Sequence, residues 1–311
     1  MANKYSDPIE NTSIEIENLL EGPLSNQVVP DDILRDPNSL WAQLKDEIVR
    51  SYYELAGSQK IKREGKAIIT AGSPGAGKSV ALKGMQDLTD VDLGGFVTID
   101  ADDIKQLLLG NTVSWLPIPG HREKARDHWD RLLENHGVLP DGLPLMRGEL
   151  AFLVHKLSTS IHHIIYTTLA GHRCNLIVEG TLRWMPTSAS GVGFNLIKLF
   201  EENYYDSITI VAVNASESTC IQGAMKRWTE KRSNKSHESR YTPVKAIKDT
   251  FIELFQDEGV RKISIPVINA QETHHFAHLR RTFSSLSLYT VHRDNISSSL
   301  PIPIECSKYL Q

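Results

Sequence analysis

Residues 72–79 read Gly-Ser-Pro-Gly-Ala-Gly-Lys-Ser, the spacing G-x-x-x-x-G-K-[ST], set between an apolar run, KAIITA at 66–71, and a helix-patterned run, KSVALKGM at 78–85. Glycine at 72, 75 and 77 permits left-handed φ values and a close backbone approach. Successive N–H groups can then converge on one point, where a helix start adds its partial positive charge. The stretch predicts a phosphate-binding loop of Gly72, Ser73, Pro74, Gly75, Ala76, Gly77, Lys78, Ser79 and Val80. Lys78 would reach the β- and γ-phosphates of ATP or GTP, and the Ser79 hydroxyl would ligate Mg²⁺. Such a loop joins a buried strand to a helix, so it commits this part of the chain to an α/β arrangement.

The rest of the sequence keeps that rhythm. Short β-rich runs occur at 66–71, 95–100 (GFVTID), 175–180 (NLIVEG), 207–214 (SITIVAVN) and 262–269 (KISIPVIN), with helical patterning between them. They predict a parallel sheet of about five strands with helices on both faces. Leu40, Leu44, Ile48, Tyr52 and Leu55 recur at helical spacing and predict an amphipathic helix near the start of the globular part. Residues 1–38 read as a flexible extension with one short helix at IEIENLL, 39–290 as the folded domain, and 291–311 as a tail. Residues 111–148, rich in proline and glycine around a helix expected at His121–Asn135, read as an insertion over the acceptor side.

Composition narrows the partners. A net charge of −4 provides no global field for nucleic acid, which makes a nucleic-acid partner unlikely on charge grounds. Three scattered cysteines suggest neither a disulfide framework nor a zinc site. The first residues lack a Sec signal peptide, and no apolar run is long enough to span a membrane. A cytoplasmic protein, or one delivered into a host cell by another route, is expected.

In parallel sheets ligands bind beyond the carboxyl ends of the strands. Asp100, Asp102 and Asp103 follow the second predicted strand, and one of them could be a general base, although Asp102 also suits a helix N-cap. Glu179, Thr181 and Arg183 lie at or beyond the third and are substrate-binding candidates; Glu179 could order Mg²⁺ through water, hold a substrate hydroxyl, or cap the helix expected after Pro186. Lys226, Arg227, Lys231, Arg232, Lys235 and Arg240 form a basic run after the fourth, readable as a solvated helix face or as a lid over a transferring phosphoryl group. The adjacent pairs His162-His163 and His274-His275 diverge on a helix and read as structural.

Together, GSPGAGKS, IDADDIK (99–105), NLIVEGTLR (175–183) and MKRW followed by RYTP (225–228 and 240–243) resemble the zeta toxin family of P-loop kinases over about residues 40–270. The resemblance implies a P-loop kinase-like fold, Asp102 as the base that deprotonates an acceptor hydroxyl, and Arg227 and Arg240 as phosphate clamps. Lys78 completes the catalytic set. It also implies ATP with Mg²⁺, a small-molecule nucleotide acceptor, and a neutralising antitoxin or chaperone. UDP-N-acetylglucosamine is the family's usual acceptor; similar type III effectors phosphorylate NAD. The family's further carboxylate on the helix before E-G-T has no counterpart in LVHKLSTSIHHIIYTTLAG (153–171), and Glu149 is the nearest acid upstream. A nucleotide-gated switch and a polynucleotide kinase are the competing readings.

Overall fold

The computed structural model describes residues 7–89, 91–183, 191–256, 259–293 and 304–310. By internal packing they fall into two compact units, one made of Tyr52–Asp100, His163–Ala224 and Val244–Gln311, the other of Met1–Ser51, Ala101–His162 and Met225–Pro243.

The first unit holds the sheet. Strands β1 (Lys66–Ala71), β2 (Val97–Asp100), β3 (Leu176–Glu179), β4 (Ser207–Ala215) and β7 (Ser285–Arg293) are parallel in the order β2-β3-β1-β4-β7, and β8 (Ile304–Leu310) adds an antiparallel edge beside β7. Ile68, Val211, Val213, Tyr289 and Val291 point to one face, where Ala81, Leu82 and Met85 of helix α3 (Lys78–Thr89) pack on them. Strand periodicity sends Ile69, Ile210 and Leu288 to the other face. Helix α10 (Ile265–Arg280) packs across β1, β4 and β7 and against α7 (Val192–Glu202). The expected five-stranded parallel sheet with flanking helices is therefore the observed one.

Its fifth member is not the expected one. Residues 262–269 divide between β6 (Gly259–Ser264), which forms a hairpin with β5 (Phe251–Gln256), and the first turn of α10. Pro266 lacks the amide a central strand needs but suits a helix start, and Ser264 precedes it as N-cap. The fifth strand is Ser285–Arg293, in register with β4 from Ser207↔Ser285 to Ala215↔Arg293. The expected boundary at 290 thus cuts a strand, and the expected tail contains β8; residues 294–303 lie outside the described ones.

The second unit is helical among its described residues: α1 (Pro8–Glu21), most of α2 (Leu40–Ala56), α4 (Ala101–Leu108), α5 (Arg122–Leu133), the start of α6 (His155–Gly171) and the end of α8 (Glu217–Ser233). Trp129 of α5 packs its ring 5.6 Å from that of Trp41, and its Nε1 donates to Leu108 O at 2.9 Å. From Asp7 onward the expected flexible extension is instead folded. Thr12, Ile16 and Leu20, spaced by four, form a buried stripe on α1, and Glu17 accepts a 2.8 Å hydrogen bond from Tyr241 Oη. Between residues 111 and 148 the expected helix is α5, followed by a bridge between Val138 and Pro144. No helix among the described residues is long and apolar enough to cross a membrane.

Candidate active site

Between β1 and α3, two of the three loop glycines take the left-handed conformation expected of them, and Gly72 does not. Gly75 and Gly77 adopt φ of +81° and +92°, and Lys78 opens the helix. At Gly75 packing against backbone excludes a side chain as well, whereas at Gly77 a side chain would have to displace a guanidinium. A Cβ on Gly75 would run into the Cys220 carbonyl of α8, and one on Gly77 into the Arg293 guanidinium. Ser73 is buried, its hydroxyl hydrogen-bonded to that of Thr250 at 2.7 Å. Lys78 Nζ donates to Gly72 O at 3.2 Å, so the lysine folds back along its own loop, and Ser79 and Val80 are exposed. Burial pushes the Cys220 thiol up to about 11, which leaves it a packing group rather than a nucleophile beside the loop.

Neighbouring strand ends carry two acids of this unit. Asp100 and Glu179 are register partners across the parallel pair β2–β3, which places both carboxylates at adjacent carboxyl ends. The Gly180 amide donates to Thr70 Oγ1 of β1 at 3.2 Å, tying the Glu179 end to the strand that enters the phosphate loop. Beyond it Leu182 adopts φ +47°, an uncommon conformation for a branched side chain, and its carbonyl accepts from Asn269 Nδ2. The Arg183 amide donates to Thr181 Oγ1 at 3.3 Å, and the Arg183 guanidinium pairs with Asp249 at 3.2 Å. Arg183 is thus committed to a carboxylate.

In the helical unit, Asp102 lies in the first turn of α4, and its two oxygens take different cations: Lys105 Nζ on Oδ1 at 3.0 Å and Arg240 Nη1 on Oδ2. The structure therefore brings together two residues 138 positions apart whose pairing no local pattern announces. Arg227 is exposed on α8. Other members of the basic run have different duties. Lys231 pairs with Glu238 at 2.8 Å with both side chains partly exposed, while Arg232 is fully buried.

Arg232 forms the centre of a buried cluster. It donates through Nε and Nη2 to Asp141 at 2.6 and 2.8 Å and through Nη1 to both oxygens of Glu149 at 2.7 and 2.9 Å. Glu149 also accepts from Trp228 Nε1 and from the Met146 amide, both at 2.8 Å. Burial pushes the Glu149 carboxyl up, and Arg232 with these donors offsets part of the effect. The expectation that Glu149 holds an acceptor is corrected: the side chain has no exposed surface and its oxygens are occupied by three donors of the fold. Ala224, Trp228 and Arg232 at i, i+4, i+8 share one helix face, a pattern that marks Arg232 as inward-facing. His274 is likewise structural, buried on α10 and pushed down to about 4 by burial, with the charges of His278 and His275 adding to the effect.

Residues 54–108, from the end of α2 through the phosphate loop to the end of α4, match the family model described as Zeta toxin. The matched residues contain the loop, Asp100 and Asp102. No curated protein matches the chain in sequence. Among solved structures, a chain of the PezAT chromosomal toxin-antitoxin system of the human pathogen Streptococcus pneumoniae is 15% identical, with a TM-score of 0.48 over 81% of this chain and 79% of that one. A chain from the crystal structure of AvrRxo1-ORF1:-ORF2 with ATP is 13% identical, with a TM-score of 0.43 over 81% of this chain and 61% of that one. The match thus spans about three fifths of the AvrRxo1 chain.

Proposed function

We propose that the protein is an ATP-dependent kinase that transfers the γ-phosphoryl group to a ribose or sugar hydroxyl of a nucleotide-like small molecule. The observation that carries this reading is the phosphate loop inside the residues that match the Zeta toxin family model, with Gly75 and Gly77 in left-handed conformation and Lys78 at the head of α3. The loop amides and Lys78 hold the donor phosphates. Asp102 accepts the proton of the acceptor hydroxyl, whose oxygen bonds to the γ-phosphorus as the bond to the β–γ bridging oxygen breaks and ADP leaves. Arg227 and Arg240 match the charge spread over the equatorial oxygens, a task for which planar guanidinium groups are suited. Arg240 pairs with Asp102, which keeps the proposed base and one proposed clamp side by side.

The exposed Ser79 hydroxyl in the first turn of α3 fits one position of a magnesium ion that keeps water and phosphate oxygens as its other ligands. Such an ion would supply charge neutralisation of the β- and γ-phosphates. Asp100, Glu179 and Thr181, at or just beyond adjacent strand ends, are the proposed acceptor contacts. UDP-N-acetylglucosamine and NAD are the leading acceptors. A kinase of this type needs restraint in the cell that makes it, so a neutralising protein partner belongs to the proposal, with action in the cytoplasm of the producer or of a host.

Incubation with γ-labelled ATP or GTP, Mg²⁺ and a panel of UDP-N-acetylglucosamine, NAD, other sugar nucleotides and polynucleotide ends, read by mass spectrometry, tests the reading. A phosphorylated acceptor is expected; ADP and free phosphate as the only products would remove its support. Unhindered bacterial growth on expression of the active chain alone would count against the neutralising partner.

A further inference from the structure

We propose that Arg293 is a positioning residue for the donor phosphates, an inference that rests on the kinase reading above. Arg293 ends β7, level with Ala215 of β4, at the carboxyl edge of the sheet where the phosphate loop also lies. Its Nη1 donates to Ala76 O at 3.0 Å, across 217 residues of sequence. The guanidinium sits where a Cβ on Gly77 would be.

The peptide between Ala76 and Gly77 is what this contact controls. In a planar trans peptide the carbonyl of one residue and the N–H of the next point in opposite directions. Gripping Ala76 O from one side therefore aims the Gly77 N–H to the other, and Gly77 at φ +92° is one of the residues whose amides form the anion cradle. A neutral amide would satisfy a carbonyl equally well. A guanidinium there adds a fixed positive charge to a loop that already holds Lys78 and the positive end of α3. In the nucleotide-free chain like charges at this place repel; with a polyanionic triphosphate bound each of them is favourable. The arginine's value is thus expected in the bound state, where it would tighten donor affinity more than it stabilises the fold.

The test uses the full chain with R293Q, R293M and R293K, titrated with MgATP and assayed for transfer. R293M, which loses both the hydrogen bond and the charge, is expected to raise the MgATP Kd and the KM for ATP about tenfold, and R293Q, which loses the charge but keeps an amide donor, at least about threefold. The kcat at saturating ATP should stay within about threefold of wild type, as should the Kd of R293K, which keeps the charge and a donor. Thermal midpoints of the nucleotide-free variants should change little. A purely structural arginine would instead lower the midpoint and leave the Kd of the folded fraction unchanged, and that result overturns the proposal. So would failure of both R293Q and R293M to fold while R293K folds, since Arg293 would then belong to the fold. Wild-type protein that bound no triphosphate would overturn the kinase reading together with this one, whereas wild-type binding unchanged in R293Q and R293M overturns this one alone.

Discussion

The phosphate loop and the basic run on α8 are built from opposite kinds of information. In the loop, the proposed function lies in the backbone: Gly75 and Gly77 take φ values that other residues avoid, and in the kinase reading their N–H groups would hold phosphate whatever the side chains are. In the basic run, six cations occur within fifteen residues and their side chains go to unrelated places. Arg240 reaches Asp102, Lys231 reaches Glu238 near the surface, and Arg232 is buried between Asp141 and Glu149. A backbone device is written locally, but the fate of a charged side chain depends on a partner that, for Arg240, lies 138 residues away in sequence.

The strongest way to test that contrast is at Asp102. If it is the base, Asp102→Asn should fold and bind ATP as wild type does yet lose transfer by about 10³-fold, within the range for removing a general base. Product formation under single-turnover conditions, measured beside an ATP titration, separates the two effects. Near-normal turnover would take Asp102 out of the mechanism and leave its pairing with Arg240 and Lys105 as a helix-end contact.

Glu149→Ala should do the reverse. It would leave Arg232 with one carboxylate instead of two and strip Trp228 Nε1 of its acceptor, inside a fully buried cluster. A loss of about 3 kcal/mol is expected, since the buried Trp228 Nε1 and Met146 amide donors lose their acceptor and the removed side chain leaves a cavity. Urea unfolding reads it directly. An unchanged midpoint together with a raised KM for an acceptor would restore Glu149 as a substrate contact.

These two acids show what sequence could and could not disclose. Asp102 directly follows a parallel strand, β2, and the carboxyl ends of such strands carry chemistry by the topology of parallel sheets, so it could be singled out. Glu149 had only proximity to recommend it, because its partners Arg232 and Trp228 are 83 and 79 residues away. The same reason explains the fifth strand. SLSLYTVHR and KISIPVIN both alternate well enough for β structure, and only Pro266 behind Ser264 discriminates, as the opening of α10. The docking of α1 was legible in part, through the Thr12, Ile16, Leu20 stripe, but the surface that covers it was not.

Within the basic run, Arg227→Ala and Arg240→Ala are each expected to lower kcat by about a hundredfold while the chain remains folded, a loss in the range seen when one donor to transition-state charge is removed. Lys231→Ala should change stability by less than about 0.5 kcal/mol and leave transfer unchanged, because its pair with Glu238 is solvent-screened. Equal effects of all three substitutions on turnover would mean that the run acts as a diffuse positive field, and the distinction drawn among its members would fail.

The smallest effect expected is a pH dependence that tests how the segment between α4 and α6 is held. Glu47 of α2 accepts from the His121 amide at 2.8 Å and contacts His121 Nδ1 at 2.7 Å, clamping the chain just before α5. Burial works to raise the Glu47 carboxyl, but the His121 amide, the His121 ring and the Arg50 charge together bring it below its ordinary value of 4.5. A carboxyl lowered on folding binds protons more weakly in the folded chain than in the unfolded one. Its stabilisation is therefore complete above about 4.5 and disappears as pH falls through the lower folded value. Both side chains retain about a quarter of their exposure, at 22% and 26%, so solvent screening limits the contribution to about 0.5–1 kcal/mol. Glu47→Gln should cost that amount in urea titrations at pH 7, and the gap from wild type should close progressively below pH 4.5. A gap of constant size across that range would show that shape and hydrogen bonding, rather than the Glu47 charge, hold the segment in place.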